Sequence, residues 1–216
     1  MVTRAQSAAL TRRALLDAAA ELLDLGGPEA VTLREVGARA GVSRGAPYRH
    51  FTGKDSLLTV VATEAWERIA DRVHALRTDP SLSASDRVRG ALRTLTGVGR
   101  EQPHLYQMLF RRPGHRPEEL GEGLDQVRRG LCAPTDDPVA ERLRAAGRFQ
   151  REFMVVVAGL VGEARSRHYG ALLLAGAHGI AEMELSGHLD AGSLDTSSDG
   201  LVDTLVRMVT DVGEAT

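Results

Sequence analysis

Asparagine is absent from the 216-residue chain and cysteine occurs once, at Cys132. The first absence removes every Asn-based glycosylation site, and the second leaves no partner for an internal disulfide; both favour a reducing cytoplasm. Long apolar runs are missing too. The longest, Phe153 to Val161, falls far short of the roughly 20 residues that a membrane-spanning helix needs. Met1 to Leu10 has no apolar run of the signal-peptide kind, so neither secretion nor membrane spanning is expected. No segment alternates apolar and polar residues as a half-buried strand does.

What remains is the composition of a soluble globular protein, 43% hydrophobic and 26% charged, which excludes disordered, collagen-like and supercharged classes. The length is enough to bury a sizeable core. The net charge of -2 conceals an asymmetry: residues 1–54 hold eight Lys and Arg against five Asp and Glu, and residues 55–216 hold 19 against 24. A basic end on an acidic body suits a chain that meets a polyanion with one end only.

The chain reads as helix after helix. Thr11 can cap a first helix whose Leu15, Leu16, Ala19, Leu22 and Leu23 recur at three- and four-residue spacing until Gly26-Gly27-Pro28 stops it. Thr32 and Glu35 form an S/T-x-x-E capping box for a second helix, about Leu33 to Ala40, and Gly41 supplies the left-handed residue that ends it. Val42 plugs the turn, and Ser43 can cap a third helix from Arg44 to Phe51. After Gly53 a long helix runs from about Lys54 to Leu76 with Leu57, Leu58, Val61, Ala65, Ile69 and Val73 inward. Further helices are predicted at Ala84–Glu101, capped by Ser83 and Asp86, and at Pro103–Phe110, Pro117–Leu131, Pro138–Glu163, Arg167–Leu189 and Ser198–Val212. The predicted fold is all-α, with a three-helix DNA-binding domain at 1–54 and a larger helical domain at 55–216.

Two short helices joined by Ala-Gly-Val-Ser, with a helix before them, match the geometry that lays a recognition helix in the major groove. Ser43, Arg44 and Gly45 then lie at its exposed start. Arg44 is the candidate base reader, since a guanidinium donates two hydrogen bonds to guanine, and Gly45 lets the backbone approach closely. Tyr48, Arg49, His50 and Lys54 are the phosphate-holding candidates, and Thr32 is a further DNA-binding candidate. Tyr48 also suits a core aromatic with its hydroxyl at the surface, and Arg49 and His50 taken singly suit a solvated face; the register of the motif is what raises them.

Thr32-Leu-Arg-Glu-Val-Gly-Ala-Arg-Ala-Gly-Val-Ser43, Tyr48-Arg-His-Phe51 and Lys54-Asp-Ser-Leu-Leu58 resemble the TetR family of repressors across about residues 11–60. Pro47 stands where that family often has a bulky aliphatic residue, and predicts that the recognition helix is distorted at its first turn or begins late. Pro103 to Phe110 and Ala177-His-Gly179 look like a C-terminal domain type of a subset of that family, with Ala177 where tryptophan is frequent. The resemblance implies a repressor that binds an inverted-repeat DNA operator as a homodimer. It further implies a small-molecule inducer whose binding moves the long fourth helix.

Trp66, His104, Tyr106, Phe110, Phe149 and Phe153 are the candidates for lining the inducer pocket, with core packing as the alternative for each. The helix from Arg167 to Leu189 carries small or apolar residues on two faces. Ala175, Gly179 and Met183, with Leu201, Leu205 and Val209 of the last helix, are therefore candidates for a two-fold dimer interface, the alternative being a central helix in a monomeric bundle. No cofactor is expected.

Two other classes share single features with this sequence. Gly41-Val-Ser-Arg-Gly45 spells the G-x-S-x-G of α/β-hydrolases, but that elbow needs a strand before the serine, and the preceding segment is capped and spaced as a helix. His178-Glu182 and Glu184-His188 have helical spacing that suits a metal, yet lack third and fourth ligands. A helical adaptor without DNA binding would require the basic motif to be coincidence.

Overall fold

Thr3, rather than Thr11, opens the first helix of the computed structural model, which describes residues 3–110, 137–189 and 194–214. Helix α1 spans Arg4–Ala30; the Thr3 hydroxyl accepts from the Gln6 amide, and the Thr3 amide donates to Gln6 Oε1 at 2.8 Å. This complete capping box upstream leaves Thr11 inside the helix, where its hydroxyl donates to the Ser7 carbonyl at 3.0 Å. The break expected at Gly26-Gly27-Pro28 is present: Gly26 and Gly27, with φ of -151° and 69°, leave helical backbone, and Pro28 leads into a last turn.

Helices α2 (Leu33–Arg39) and α3 (Ala46–His50) follow, then α4 (Lys54–Thr78), α5 (Ala84–Glu101), α6 (Pro103–Phe110), α7 (Pro138–Val161), α8 (Glu163–Leu185) and α9 (Ser198–Glu214). Among the described residues all regular structure is helical, as the spacing of apolar residues predicts. The helix expected at Pro117–Leu131, like Cys132, lies outside the described residues. The break between α7 and α8 falls at Gly162, φ 81°, five residues before the expected helix start and at the one residue there that adopts this backbone cheaply. No helix among the described residues is long and apolar enough to cross a membrane.

The chain groups into two compact units, one drawn from Met1–Ala65 and His104–Arg144, the other from Trp66–Pro103 and Ala145–Thr216. The division falls within α4. In the first unit α1 packs on α2 and α3 over buried Leu15, Leu16, Ala19, Leu23 and Val36. The ring of His104, at the start of α6, sits against the α1 break: a Cβ on Gly27 would lie 3.2 Å from its Nδ1. At the other end of α6, buried Arg142 donates to the Met108 carbonyl at 2.7 Å and the Leu109 carbonyl at 3.3 Å, satisfying oxygens a helix end leaves open.

In the second unit α5, α8 and α9 pack together through Val88, Ala91, Leu92 and Leu95, through Leu173, Ala177 and Ala181, and through Val202, Val206 and Val209. Close packing is made possible at Gly176, where a Cβ would come within 2.5 Å of Leu205 Cδ2. Polar braces join the same helices: Arg100 donates to Glu184 at 2.9 Å and to buried Ser198 at 2.6 Å, and Asp203 accepts from Arg93. Residues of α4 beyond Ala65 meet α7 through Trp66 and Phe149, whose ring centroids lie 5.3 Å apart, and through Glu152. Burial pushes the Glu152 carboxyl up, but hydrogen bonds from Arg77 and His74 outweigh it and hold the group below its ordinary range.

Candidate nucleic-acid interface

The turn that presents the recognition segment depends on two glycines with different tasks. Gly41 adopts φ 66°, the left-handed conformation that reverses the chain after α2, and the Val42 amide returns to the Gly37 carbonyl at 3.1 Å. Gly37 is a notch: a Cβ there would lie 2.8 Å from Pro47 Cγ. The pyrrolidine ring is buried in that notch and fixes α3 against α2. Pro47 is the second residue of α3, where an amide has no helical partner to lose, so it is accommodated without breaking the helix.

The consequence is the late start that Pro47 predicts. Ser43 is not the helix cap; its carbonyl accepts from the Ala46 amide at 2.9 Å, Gly45 precedes the first helical residue, and no side chain caps α3. The helix expected over Arg44–Phe51 is thereby confined to Ala46–His50. Ser43, Arg44 and Gly45 lie exposed in the turn before it, which leaves Arg44 outside the rigid helix. Of the expected Thr32–Glu35 box, the hydroxyl half is made, with Thr32 Oγ1 accepting from the Glu35 amide at 3.1 Å.

Tyr48 is 63% exposed, which removes the core-aromatic alternative, and Arg49 is exposed beside it. His50 is half-buried next to Phe51, ring centroids 6.4 Å apart. Phe51 itself is buried as the residue that ends α3. Lys54, the only lysine in the sequence, begins α4 with its ammonium 3.8 Å from the Glu29 carboxylate. Two exposed cations escaped the sequence reading. Arg34, with 88% of its side chain exposed, follows the Thr32 cap, and Arg12 holds its guanidinium 5.6 Å above the Phe51 ring. Arg34 is signalled by its place in the first turn of a capped helix; the Arg12 contact joins residues 39 positions apart and has no local signal.

The six pocket candidates divide between the units. Trp66, Phe149 and Phe153 pack in succession in the second, Trp66 tilted against Phe149 and Phe149 stacked on Phe153 with centroids 5.9 Å apart. Tyr106 is buried in the first, 4.8 Å from Phe110, and His104 is spent on the Gly27 notch. Of the interface candidates, Ala175, Gly179 and Met183 form an exposed row on α8. Leu201 is half-buried and Leu205 is seated on Gly176. Val209, at 2% exposure, belongs to the interior of its own unit, and Met208 is instead an apolar residue that α9 exposes. Glu184 serves Arg100 and Ser198, and His188 meets the Ser186 hydroxyl at 2.6 Å. Ser43 follows a helix, so the hydrolase elbow has no strand to stand on.

Residues 15–61 match the family model described as "Bacterial regulatory proteins, tetR family", and residues 88–209, more than half of the chain, match "Tetracyclin repressor-like, C-terminal domain". The HTH-type transcriptional repressor KstR of Rhodococcus jostii is 33% identical over 116 residues, 54% of this chain and 53% of that protein. The HTH-type transcriptional regulator AcrR of Shigella flexneri is 28% identical over 148 residues, 64% and 65% of the two chains, so the chain spans between half and two thirds of these relatives. A regulator of Mycobacterium tuberculosis, Rv1816, is 26% identical across 94% of this chain and 88% of its own. The same fold occurs in a transcriptional regulator of Rhodococcus sp., with a TM-score of 0.63 at 18% identity over 93% and 96% of the two chains. It recurs in the fatty acid degradation regulator FadR of Bacillus halodurans, with a TM-score of 0.63 at 11% identity over 93% and 94%. With a helix-turn-helix at residues 32–51 and these two family models covering most of its length, the chain belongs to the TetR family of bacterial transcriptional regulators, DNA-binding proteins and not enzymes.

Proposed function

We propose that this regulator is a repressor that binds an inverted-repeat operator as a homodimer and is released by a small molecule. The observation that carries the DNA reading is the exposed run of Ser43, Arg44, Gly45, Tyr48 and Arg49, whose helical part is held from behind by Pro47 in the Gly37 notch. Arg44 reads a base, while Thr32, Tyr48, Arg49, His50 and Lys54 hold phosphates. The name of KstR, a repressor, supports the direction of regulation. Half-sites then lie about one helical turn apart, or slightly more, as two-fold symmetry requires.

The test is a titration of operator fragments selected from genomic DNA against random duplex. Arg44→Ala is expected to relax preference at one position of each half-site, losing about 1–3 kcal/mol of discrimination there. Lys54→Ala should weaken binding to all sequences and lower the slope of log K against log salt by about one unit per site. Equal losses on selected and random DNA for Arg44→Ala would remove its base-reading role.

Release by an inducer requires unequal affinity for two conformations, typically about 1–3 kcal/mol of coupling. Trp66, the single tryptophan, packs tilted against Phe149 and reports occupancy of the aromatic cluster. A panel of apolar small molecules is expected to contain one that quenches Trp66 and frees DNA over the same concentration range; quenching without release would separate the cluster from the switch.

A further inference from the structure

The geometry points to a second DNA-contacting surface: the first two turns of α1, Arg4 to Leu10, together with Arg12, bind backbone phosphates beside the recognition segment. Every residue from Thr3 to Leu10 is exposed, yet the stretch is helical and closed by a complete capping box. It is preformed, because it extends a helix nucleated elsewhere and avoids the cost that makes short isolated helices marginal. Residues 1–13 contain Arg4, Arg12 and Arg13 and no acidic residue. Arg13 is taken up by Asp17 at 2.5 Å and Glu64 at 2.9 Å. Arg12 turns instead to the face of Phe51.

That contact makes the surface continuous with the one already described. Phe51 ends the recognition helix and lies three residues before Lys54, so a guanidinium stacked on its ring stands next to the phosphate-holding residues. Stacking on an aromatic face leaves the in-plane N–H groups of arginine free to donate, which suits a phosphate oxygen. Arg4 lies about 12 Å further along the helix axis. Exposure, positive charge on Arg4 and Arg12 without a counter-charge among the described residues, and adjacency to Lys54 together fit the phosphate backbone of the same duplex, outside the bases read by Arg44.

The experiment uses the full chain and a random-sequence duplex of about 30 base pairs, with wild type, Arg4→Gln, the double variant Arg4→Gln/Arg12→Gln, Arg12→Lys and Lys54→Ala. Each lost phosphate contact lowers the slope of log K against log salt by about 0.9, so the double variant is expected to lose roughly 1.8 per protomer and Arg4→Gln half of that. Arg12→Lys keeps the charge and should keep most of the slope. The ratio of affinities for selected and random DNA should stay constant. Should removal of the Phe51 contact lower the melting temperature of the double variant, Arg4→Gln on its exposed turn is the decisive variant. An unchanged slope for Arg4→Gln and the double variant, with Lys54→Ala reduced as expected, overturns this surface and leaves the recognition segment intact. So does a loss confined to binding of vesicles rich in anionic lipid, which would assign the surface to a membrane. Slopes that no variant changes, Lys54→Ala included, would instead count against the helix-turn-helix assignment.

Discussion

Gly37→Ala is expected to lower DNA affinity at least tenfold without removing any group that faces DNA. The added methyl would lie 2.8 Å from Pro47 Cγ, and neither side can yield cheaply: Pro47 is a rigid ring, buried, within the first turn of α3. The strain is relieved by moving α3 away from α2, which carries Tyr48 and Arg49 with it. Overpacking of this kind costs about 1–3 kcal/mol, and at about 2–4 °C per kcal/mol in a chain of this size the melting temperature falls by several degrees. Pro47→Ala alone removes the ring and leaves a small void. The double variant Gly37→Ala/Pro47→Ala should therefore recover much of the affinity lost by Gly37→Ala, a coupling that a double-mutant cycle reads directly. Additive losses would mean that the two residues do not form one joint.

Leu172→Arg combined with Ala175→Arg is expected to convert a dimer to a monomer and to reduce operator affinity by about a hundredfold, the lower end of the gain that linking two binding modules provides. Leu172, Ala175, Gly179 and Met183 form a row of apolar or small residues along α8, all exposed. Met208, 62% exposed, gives α9 an apolar residue of the same kind. Small residues let two backbones approach, and a two-fold axis brings each substituted position near its own copy, so every added arginine meets another. Sedimentation velocity at micromolar concentration measures the first effect, and titration of whole against half operators the second. A variant that remains dimeric with full operator affinity would place the interface elsewhere.

Pro47 marks where sequence reasoning succeeds and where it stops. That a proline must delay the recognition helix is local chemistry, since the ring fixes its own φ and restrains the residue before it. That the ring fills a notch at Gly37, ten residues earlier, depends on how α2 crosses α3, and no periodicity encodes it. Thr11 shows the reverse: it has the chemistry of a cap and precedes the apolar stripe, whereas Thr3 and Gln6, which close the actual box, have no apolar stripe directly after them and carry no hydrophobic signal. Hydrophobic spacing placed α4, α5 and α6 closely for the opposite reason, each having a one-sided stripe and a clear stop. On α9 the stripe does not say what lies opposite it: Val209, which suits a surface between copies, packs inside its own unit.

By itself, then, the order of residues determined that this chain is all-α and that residues 32–54 form a capped helix, a glycine turn and a basic recognition segment. These follow from caps, glycine and proline conformations and side-chain spacing, which act over fewer than ten residues. Tertiary structure alone decided that Pro47 seats on Gly37, that Arg12 rests on Phe51, and that Ala175 and Gly179 face outward while Val209 faces in. Those outcomes depend on which helix faces meet, and that is set by the packing of the chain as a whole.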